Sequence, residues 1–353
     1  MTLFPSHMTL NGRNISISQL IRSRTGKGGW ERDWLDFLDE WYAPGSTITV
    51  NTSGSTGTPK SIRLEKEFVA ASARRTLLYF DLKENDRVLH CLPSRYIAGK
   101  LMVVRALLGR LDLYPLDPSS TFSVLEKMSF RFAAMVPNQV SKILDQENGP
   151  AWLQQISQLL IGGGPVPPSL HERLRPLSTA CYSSYAMTET ATHVAIRKLN
   201  GEGADECYHC MDGIRVSLSP EGCLRIHMAG LAQNAPCLQT TDLAELTDEK
   251  TFRIIGRADQ VIISGGMKFH PEQLEQKLEN AIKHPFMISS LPDDRLGEQI
   301  ILIVEGDEDP RIAEALQEAC RRCLSRYEQP RQIRFTPQLP RTPNGKLKRW
   351  REL

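Results

Sequence analysis

Strand-like and helix-like segments alternate along the chain from residue 47 onward, and this alternation restricts the fold more than any other feature. Length and periodicity distinguish the two kinds of segment. The predicted strands span 48–50, 61–64, 87–92, 111–114, 132–136 and 159–161. The predicted helices span 66–80, 98–109, 121–128, 137–146 and 168–174. Alternation of this kind predicts an α/β architecture with mixed or parallel sheets.

The pattern changes twice in the second half of the chain. After residue 205 the segments become short, β-rich and separated by turns, which predicts a small β subdomain. Beyond residue 256 strands and helices alternate again. Because 353 residues are too many for one compact core in most folds, we expect two domains. They are a large N-terminal domain (1–256) of mixed sheets flanked by helices plus the β subdomain, and a small α+β C-terminal domain (257–353).

An aromatic stripe lies in the first 45 residues. It recurs at the spacing of one helix face and stops before a proline–glycine break, which predicts an amphipathic helix. The residues of the stripe are Trp30, Trp34, Phe37, Leu38 and Trp41. A stripe of this kind is more often core than ligand site, so we interpret it as packing.

Composition and charge argue against several classes of protein. Hydrophobic residues make up 41% and charged residues 24% of the chain, as is typical of soluble globular proteins. The net charge of +2 gives no electrostatic reason to expect a nucleic-acid or membrane partner. No apolar run approaches the roughly 18 residues that a membrane helix needs. The first residues lack the pattern of a signal peptide, so we expect a cytoplasmic protein.

Four of the eight cysteines form two C-x-x-C pairs. Cys320 and Cys323 lie on one face of a predicted helix, where buried small hydrophobes are the simpler interpretation. Cys207 and Cys210 are followed by single cysteines in strand-like segments, without a second pair. A zinc site at Cys207 and Cys210 stays open as an alternative.

The segment from Thr52 to Lys60 concentrates five hydroxyl side chains, two glycines and a lysine in nine residues between two predicted strands. Glycines let backbone N–H groups approach an anion, hydroxyls donate to phosphate oxygens, and the lysine adds a positive charge. The pattern therefore predicts a phosphate-binding loop.

This loop differs from the P-loop of the nucleoside triphosphatases. Pro59 stands where that pattern requires the glycine next to the lysine, and proline has no N–H to donate. The following residues, 61–64, also favour a strand rather than a helix. We therefore reject a P-loop enzyme.

The loop resembles the phosphate-binding signature of the adenylate-forming superfamily, which includes acyl-CoA synthetases, luciferases and peptide-synthetase adenylation domains. Further segments resemble other motifs of the superfamily and follow in the same order. They are residues 162–165, 185–190, 241–242, 256–266 and 340–346. Ala186 and Thr241 replace glycines of the superfamily's pattern. The loop also begins at residue 52, about a hundred residues earlier than is usual in the superfamily.

The resemblance implies a nucleotide site that takes ATP with Mg²⁺. Glu189 would be the magnesium ligand, Thr188 and Thr56 would bind the phosphates, and Tyr185 would stack on adenine. Asp242 and Arg257 would bind the ribose. The nucleotide-binding residues implied in this way are Thr52, Ser53, Gly54, Ser55, Thr56, Gly57, Lys60, Gly163, Gly164, Pro165, Tyr185, Asp242 and Arg257. The simpler alternatives are that Glu189 lies on the surface, that Tyr185 belongs to the core, and that Arg257 and Asp259 form a plain ion pair.

The resemblance also implies catalysis in two steps with CoA as co-substrate. The catalytic residues would be Lys346, Thr188 and Glu189. The ammonium of Lys346 would stabilise the charge that develops when a carboxylate attacks the α-phosphorus. The C-terminal domain would then turn at the hinge residue Asp259. A channel along residues 264–266, Ser264, Gly265 and Gly266, would admit the thiol arm of CoA. A basic tail is the alternative for Lys346.

The acyl pocket is less well defined by the sequence. Tyr96 and Lys100 lie where the superfamily has an aromatic motif, and Arg105 and His193 add basic groups. Basic groups there would suit an acid with a second carboxylate. Solvated surface positions are the alternative.

The chain resembles most the o-succinylbenzoate–CoA ligase branch of menaquinone synthesis. The expected reaction converts acid and ATP to acyl-AMP and pyrophosphate, and then acyl-AMP and CoA to acyl-CoA and AMP. The alternatives are a ligase for another aryl or short-chain acid, an adenylation domain that loads a carrier protein, and a non-catalytic nucleotide-binding protein. The sequence leaves a homodimer open.

Overall fold

The computed structural model describes residues 3–51, 61–231 and 235–341. The chain divides into two compact units, Met1–Ile214 with Met228–Pro236 and Arg215–His227 with Cys237–Leu353. The domain boundary expected between residues 256 and 257 stays a prediction.

The first unit is built from eleven strands and seven α-helices in its described part. In chain order they are β1 (His7–Leu10), β2 (Arg13–Ser16), α1 (Ile17–Ser23), α2 (Gly29–Tyr42), β3 (Thr47–Asn51), β4 (Ser61–Glu65), α3 (Lys66–Tyr79), β5 (Arg87–His90), α4 (Ile97–Gly109), β6 (Asp112–Pro115), β7 (Phe130–Met135), α5 (Pro137–Leu144), α6 (Gly149–Leu153), β8 (Ile156–Ile161), α7 (Pro168–Leu174), β9 (Ala180–Ala186), β10 (His193–Lys198) and β11 (Tyr208–Cys210).

The main sheet of this unit runs in the order β11-β10-β9-β8-β7-β5-β6-β1-β2. The strands from β9 to β1 in this order pair in parallel, whereas β2, β10 and β11 pair antiparallel with their neighbours. Strand β7 is apolar and almost wholly buried, as expected for a parallel strand covered by helices on both faces. The predicted α/β architecture with mixed sheets is therefore confirmed.

The aromatic stripe near the N-terminus packs as predicted. Helix α2 buries Trp34, Phe37, Leu38 and Trp41. One sequence expectation in this unit needs correction, and several elements were missed. Residues Ser123–Glu126 form only a short 3₁₀ turn where a helix was predicted over 121–128. Strand β9 was missed because its alternating serines, tyrosines and cysteine lack an apolar run, and β10 was missed with it.

The second unit starts with four antiparallel strands, β12 (Arg215–Leu218), β13 (Cys223–His227), β14 (Leu238–Asp248) and β15 (Thr251–Arg257). They confirm the predicted β subdomain. The remaining elements are β16 (Ile262–Ser264), β17 (Met267–Phe269), α8 (Pro271–Leu278), β18 (Phe286–Asp293), β19 (Gly297–Glu305), α9 (Pro310–Cys323) and β20 (Gln332–Thr336).

These later elements form the predicted α+β arrangement. Their sheet has the order β17-β16-β19-β18, and β20 pairs in parallel with β19. Helices α8 and α9 cover it with an apolar core that includes Leu274, Leu278 and Leu316. Strand β17 was missed by the sequence because it has only three residues.

Cys320 and Cys323 contribute to this core, in agreement with their interpretation as small hydrophobes. Burial raises the pKa of the Cys320 thiol to about 11, which disfavours the reactive thiolate. Within the described ranges, no group of three or more His, Cys, Asp or Glu side chains is arranged to hold a metal ion. In the same ranges no helix has the length and apolar character to cross a membrane.

His90 is a buried histidine at the carboxyl end of β5. From its burial we predict that the folded protein loses stability in acid. Its Nε2 lies 3.0 Å from Ser94 Oγ, and burial lowers its pKa to about 4. In the unfolded chain His90 takes up a proton near its ordinary pKa of 6.5, whereas in the folded chain it stays neutral until the pH approaches 4. The contribution of His90 to the free energy of unfolding is therefore complete above pH 6.5 and is lost as the pH falls toward 4. Between pH 7 and pH 4.5 we expect the free energy of unfolding of His90→Gln to fall by about 2 kcal/mol less than that of the wild type.

Urea unfolding at the two pH values measures this difference. His7→Gln is the matched control, because His7 is exposed. Equal pH dependence in the wild type and His90→Gln would contradict the prediction.

Candidate active site

The predicted adenine-flanking turn leaves the carboxyl end of β8. Gly163, Gly164 and Pro165 lie in this turn, and all three are at least partly exposed. It begins at Gly162, where a Cβ atom would lie 2.4 Å from Ser184 Oγ on β9, so a larger residue would require the Ser184 hydroxyl to move. The carboxyl edge of a parallel sheet is where α/β enzymes bind their ligands.

Tyr185, Thr188 and Glu189 lie beside this turn, because β8 and β9 are parallel neighbours with Ile161 opposite Ser183. Thr190 stabilises the turn after β9: its Oγ1 accepts from the Met187 N–H at 3.2 Å, and its single O–H donor lies within reach of the carbonyl oxygens of Met187 (2.9 Å) and Thr192 (2.7 Å). The structure therefore brings these predicted residues to one edge of the sheet.

The environment of Glu189 is suitable for a metal ligand. Its side chain is partly exposed, and among the described residues no cation pairs with the carboxylate. A free, accessible carboxylate is the ligand that a hard cation such as Mg²⁺ requires. Tyr185 is also partly exposed, so a fully buried core position is excluded.

Asp242 and Arg257 are brought together in the second unit. They lie opposite each other on β14 and β15, with Arg257 Nη1 3.4 Å from Asp242 Oδ1. Arg257 also donates to both carboxylate oxygens of Asp259, at 2.9 and 2.7 Å. Hydrogen bonding to Asp259 raises the pKa of Arg257. The simpler alternative, an ion pair within the turn, is thus present, and the ribose contacts stay predictions.

Ser264, Gly265 and Gly266 connect β16 to β17 in the same unit. Gly265 (φ +59°) and Gly266 (φ +79°) adopt the left-handed backbone that favours glycine. The Gly265 N–H donates to the Leu296 carbonyl at 2.9 Å. The turn is exposed at its two glycines, as a path for a slender ligand arm would require, although the channel itself stays a prediction.

The residues predicted for the acyl pocket differ sharply in their surroundings. Lys100 is buried, and its Nζ lies 2.6 Å from Glu40 Oε2 and 2.9 Å from the Thr49 carbonyl oxygen. Its charge is therefore neutralised by a partner within the unit, and a solvated position is excluded. Tyr96 is partly exposed, with the guanidinium of Arg95 5.2 Å from the centre of its ring.

His193 and Arg105 belong to a different cluster, which contains no carboxylate partner among the described residues. Arg105 Nη2 donates to Thr192 Oγ1 at 2.9 Å, and His193 lies within hydrogen-bond distance of Thr192 Oγ1 (3.1 Å) and Thr76 Oγ1 (3.2 Å). Burial, together with the charges of Arg105 and Arg75, lowers the pKa of His193 well below its ordinary value. The imidazole is therefore neutral at physiological pH.

The two arginines of this cluster lack counter-charges in the part of the chain that the structure describes. There neither forms an ion pair with a carboxylate, and the buried Nε of each has no hydrogen-bond partner. Arg105 is only 3% exposed, and burial lowers its pKa to about 9, so it still carries its charge at neutral pH. Sequence reasoning missed Arg75. The available signal for Arg105 was a charge within an apolar helix, which it shares with Lys100.

The phosphate-loop residues from Thr52 to Lys60 and the predicted catalytic Lys346 lie outside the described residues. Their roles therefore stay predictions from the sequence.

Comparison with known proteins adds independent evidence. Residues 29–215 match the family model of the AMP-binding enzymes, and residues 287–346 match that of the AMP-binding enzyme C-terminal domain. A 2-succinylbenzoate–CoA ligase of Bacillus cereus is 25% identical over 350 residues, which cover 90% of this chain and 72% of that protein.

Two solved structures extend the comparison. An acyl-CoA synthetase (AMP-forming)/AMP-acid ligase II-like protein of Dyadobacter fermentans has 33% identity and a TM-score of 0.61, covering 92% of this chain and 95% of that one. The o-succinylbenzoate CoA synthetase of Bacillus subtilis, solved with its acyl-adenylate intermediate, shares the fold with a TM-score of 0.71. Its identity is 21%, and the match covers 85% of this chain and 67% of that one.

The fold, the residues gathered at the carboxyl edge of the sheet and these matches define an AMP-forming acid–CoA ligase. The chain belongs to the AMP-binding enzyme family.

Proposed function

We propose that this enzyme is an o-succinylbenzoate–CoA ligase, acting on an aromatic acid that carries a second carboxylate. The observation that carries the proposal is the buried Arg105, which has no counter-charge among the described residues, beside the neutral His193 and the partly exposed Arg75. Lys100 is not part of this argument, because Glu40 already neutralises its charge.

Electrostatics favours an anionic ligand at the arginine pair. Taking a guanidinium out of water without a counter-ion costs several kcal/mol, roughly, even after relaxation. A ligand carboxylate offsets that cost and accepts two hydrogen bonds from one guanidinium fork. The Nε of each arginine is buried and has no hydrogen-bond partner among the described residues. The name of the Bacillus cereus relative supports the same substrate, which contains an aromatic carboxylate and a succinyl carboxylate.

In the first half-reaction one carboxylate oxygen of the acid attacks the α-phosphorus of ATP, and pyrophosphate leaves. In this proposal residues 52–60 bind the phosphates, Tyr185 with residues 163–165 binds adenine, and Asp242 with Arg257 binds the ribose. Glu189 would hold Mg²⁺, which neutralises phosphate charge when it is bound. The ammonium of Lys346 stabilises the negative charge that develops on the reacting oxygens.

In the second half-reaction the thiol of CoA loses its proton to solvent, its sulfur attacks the acyl carbon, and AMP leaves with the bonding electrons of the broken C–O bond. We assign the thiol path to residues 264–266 and the turning point of the C-terminal domain, residues 257–353, to Asp259. Movement of this domain would separate the two chemistries in time, because Lys346 leaves the site after adenylation.

The test is product detection by mass spectrometry with ATP, Mg²⁺ and CoA. We expect o-succinylbenzoate to give its acyl-CoA and AMP, with kcat/KM at least about 30-fold above that of 4-oxo-4-phenylbutyrate, which lacks the ring carboxylate. Equal rates for the two acids would contradict the dicarboxylate assignment. Acyl-adenylate without acyl-CoA would instead indicate a carrier protein as acceptor, and no AMP with any acid would exclude catalysis.

A further inference from the structure

We propose that Tyr208 is a positioning residue for the nucleotide, because it braces the ring of Tyr185 in the orientation that stacks on adenine. The inference rests on the proposed function, in which Tyr185 contacts the adenine base. Tyr208 lies outside every segment that resembles a superfamily motif, and only the pairing of β9, β10 and β11 brings it near Tyr185.

The two tyrosines meet across an intervening strand. Ala195 on β10 lies opposite Tyr185 on β9 and opposite Cys210 on β11, and residues paired in this way share one face of the sheet. Ala195 contributes only a methyl group at this position, which leaves room above β10. The rings of Tyr185 and Tyr208 approach there to a centroid distance of 5.9 Å at an interplanar angle of 59°.

Tyr208 is itself held at several points. Its hydroxyl lies 2.9 Å from Ser183 Oγ, and Ser183 is buried in β9. The guanidinium carbon of Arg197 lies 5.6 Å from the centre of the Tyr208 ring, a cation–π distance. Arg197 is in turn paired with Glu206 at 3.2 Å. Tyr208 is therefore an anchored support against which the partly exposed ring of Tyr185 rests.

The support matters because stacking needs a ring of fixed orientation. A side chain that is free before binding loses rotamer freedom when the ligand orders it, and a side chain already fixed by its neighbours does not. Removing the Tyr208 ring should therefore weaken nucleotide binding by about 3- to 10-fold. Binding of the acid and the rate of the chemical step should hardly change, because Tyr208 contacts neither the acid nor the reacting atoms in this proposal.

The experiment measures pyrophosphate release by the full chain, with KM for ATP, KM for the acid and kcat determined separately. Tyr208→Ala and Tyr208→Leu remove the ring, and the second variant keeps apolar bulk in case the first one fails to fold. Tyr208→Phe keeps the ring and removes the hydroxyl that contacts Ser183. We expect KM for ATP to rise about 3- to 10-fold in the first two variants and less than about 3-fold in Tyr208→Phe.

Tyr79→Ala is the matched control. The ring of Tyr79 also packs edge-on against a tyrosine of β9, Tyr182, at 6.2 Å, but it is not in contact with Tyr185 in the described structure. We expect wild-type kinetics from this variant. Melting temperatures of all variants are measured alongside.

A double variant separates this inference from the proposed function. Since Tyr208 acts through Tyr185, the variant with both tyrosines replaced by alanine should bind ATP no worse than Tyr185→Ala. Additive losses, or equal changes in KM for ATP and for the acid, overturn the positioning role while the adenine role of Tyr185 stands. An unchanged KM for ATP in Tyr185→Ala overturns both.

Discussion

Replacing Arg105 by methionine is expected to lower kcat/KM for o-succinylbenzoate roughly 30- to 1,000-fold, or about 2–4 kcal/mol of transition-state binding. In the proposed function the cause is the loss of a buried guanidinium that would donate to the second carboxylate of the acid. For 4-oxo-4-phenylbutyrate, which lacks the ring carboxylate, the same substitution should change kcat/KM less than about 3-fold. The two acids are compared in one assay of acyl-CoA formation.

Arg105→Met should also leave the fold intact or stabilise it. A buried charge without a counter-charge destabilises the folded state, and an apolar side chain of similar length removes that penalty. We therefore expect an unchanged or higher melting temperature together with the lost selectivity. Arg105→Lys keeps the charge without the planar fork and should recover only part of the activity.

Arg110→Met is the matched control for Arg105. Arg110 follows the last residue of the same helix and is exposed, with Glu84 as its partner at 3.5 Å. This variant should keep the wild-type preference for the dicarboxylic acid. An equal loss with both acids in Arg105→Met, or a fall in its melting temperature that accounts for the lost activity, would contradict the proposed role.

Replacing Lys346 by alanine is expected to slow acyl-adenylate formation roughly 100- to 1,000-fold, because in the proposed mechanism its ammonium donates to the charge that develops in the transition state. The second half-reaction should be affected less than about 3-fold, because Lys346 has left the site by then in the proposed domain movement. Pyrophosphate release measures the first step, and conversion of added acyl-adenylate with CoA measures the second.

Lys348→Ala tests the alternative of a basic tail. Lys348 lies two residues further on in the same run of charges, so a general electrostatic effect would slow both variants alike. Only Lys346→Ala should lose adenylation. Wild-type adenylation by Lys346→Ala would refute the assigned mechanism, whatever the result with Lys348.

Local patterns in the sequence predicted much of this fold. The helix stripe of α2 and the apolar strand β7 depend on residues close to one another in the chain, and both formed as expected. Strand β9 was missed because it is hydroxyl-rich, and its strand conformation is stabilised by pairing with β8 and β10. Its residues Ser183 and Tyr185 are also the ones that meet Tyr208, so the missed strand hid this contact.

Lys100 and Arg105 on helix α4 show what the sequence determines by itself and what depends on the tertiary structure. The sequence alone determined that both are cations within an apolar helix, because helical periodicity is local. Only the tertiary structure decided that Glu40, from α2, neutralises Lys100, whereas Arg105 shares the hydroxyl of Thr192 with His193. The reason is physical: the free energy of a buried charge depends on which other charges the fold brings within a few ångströms, and those charges come from distant parts of the chain.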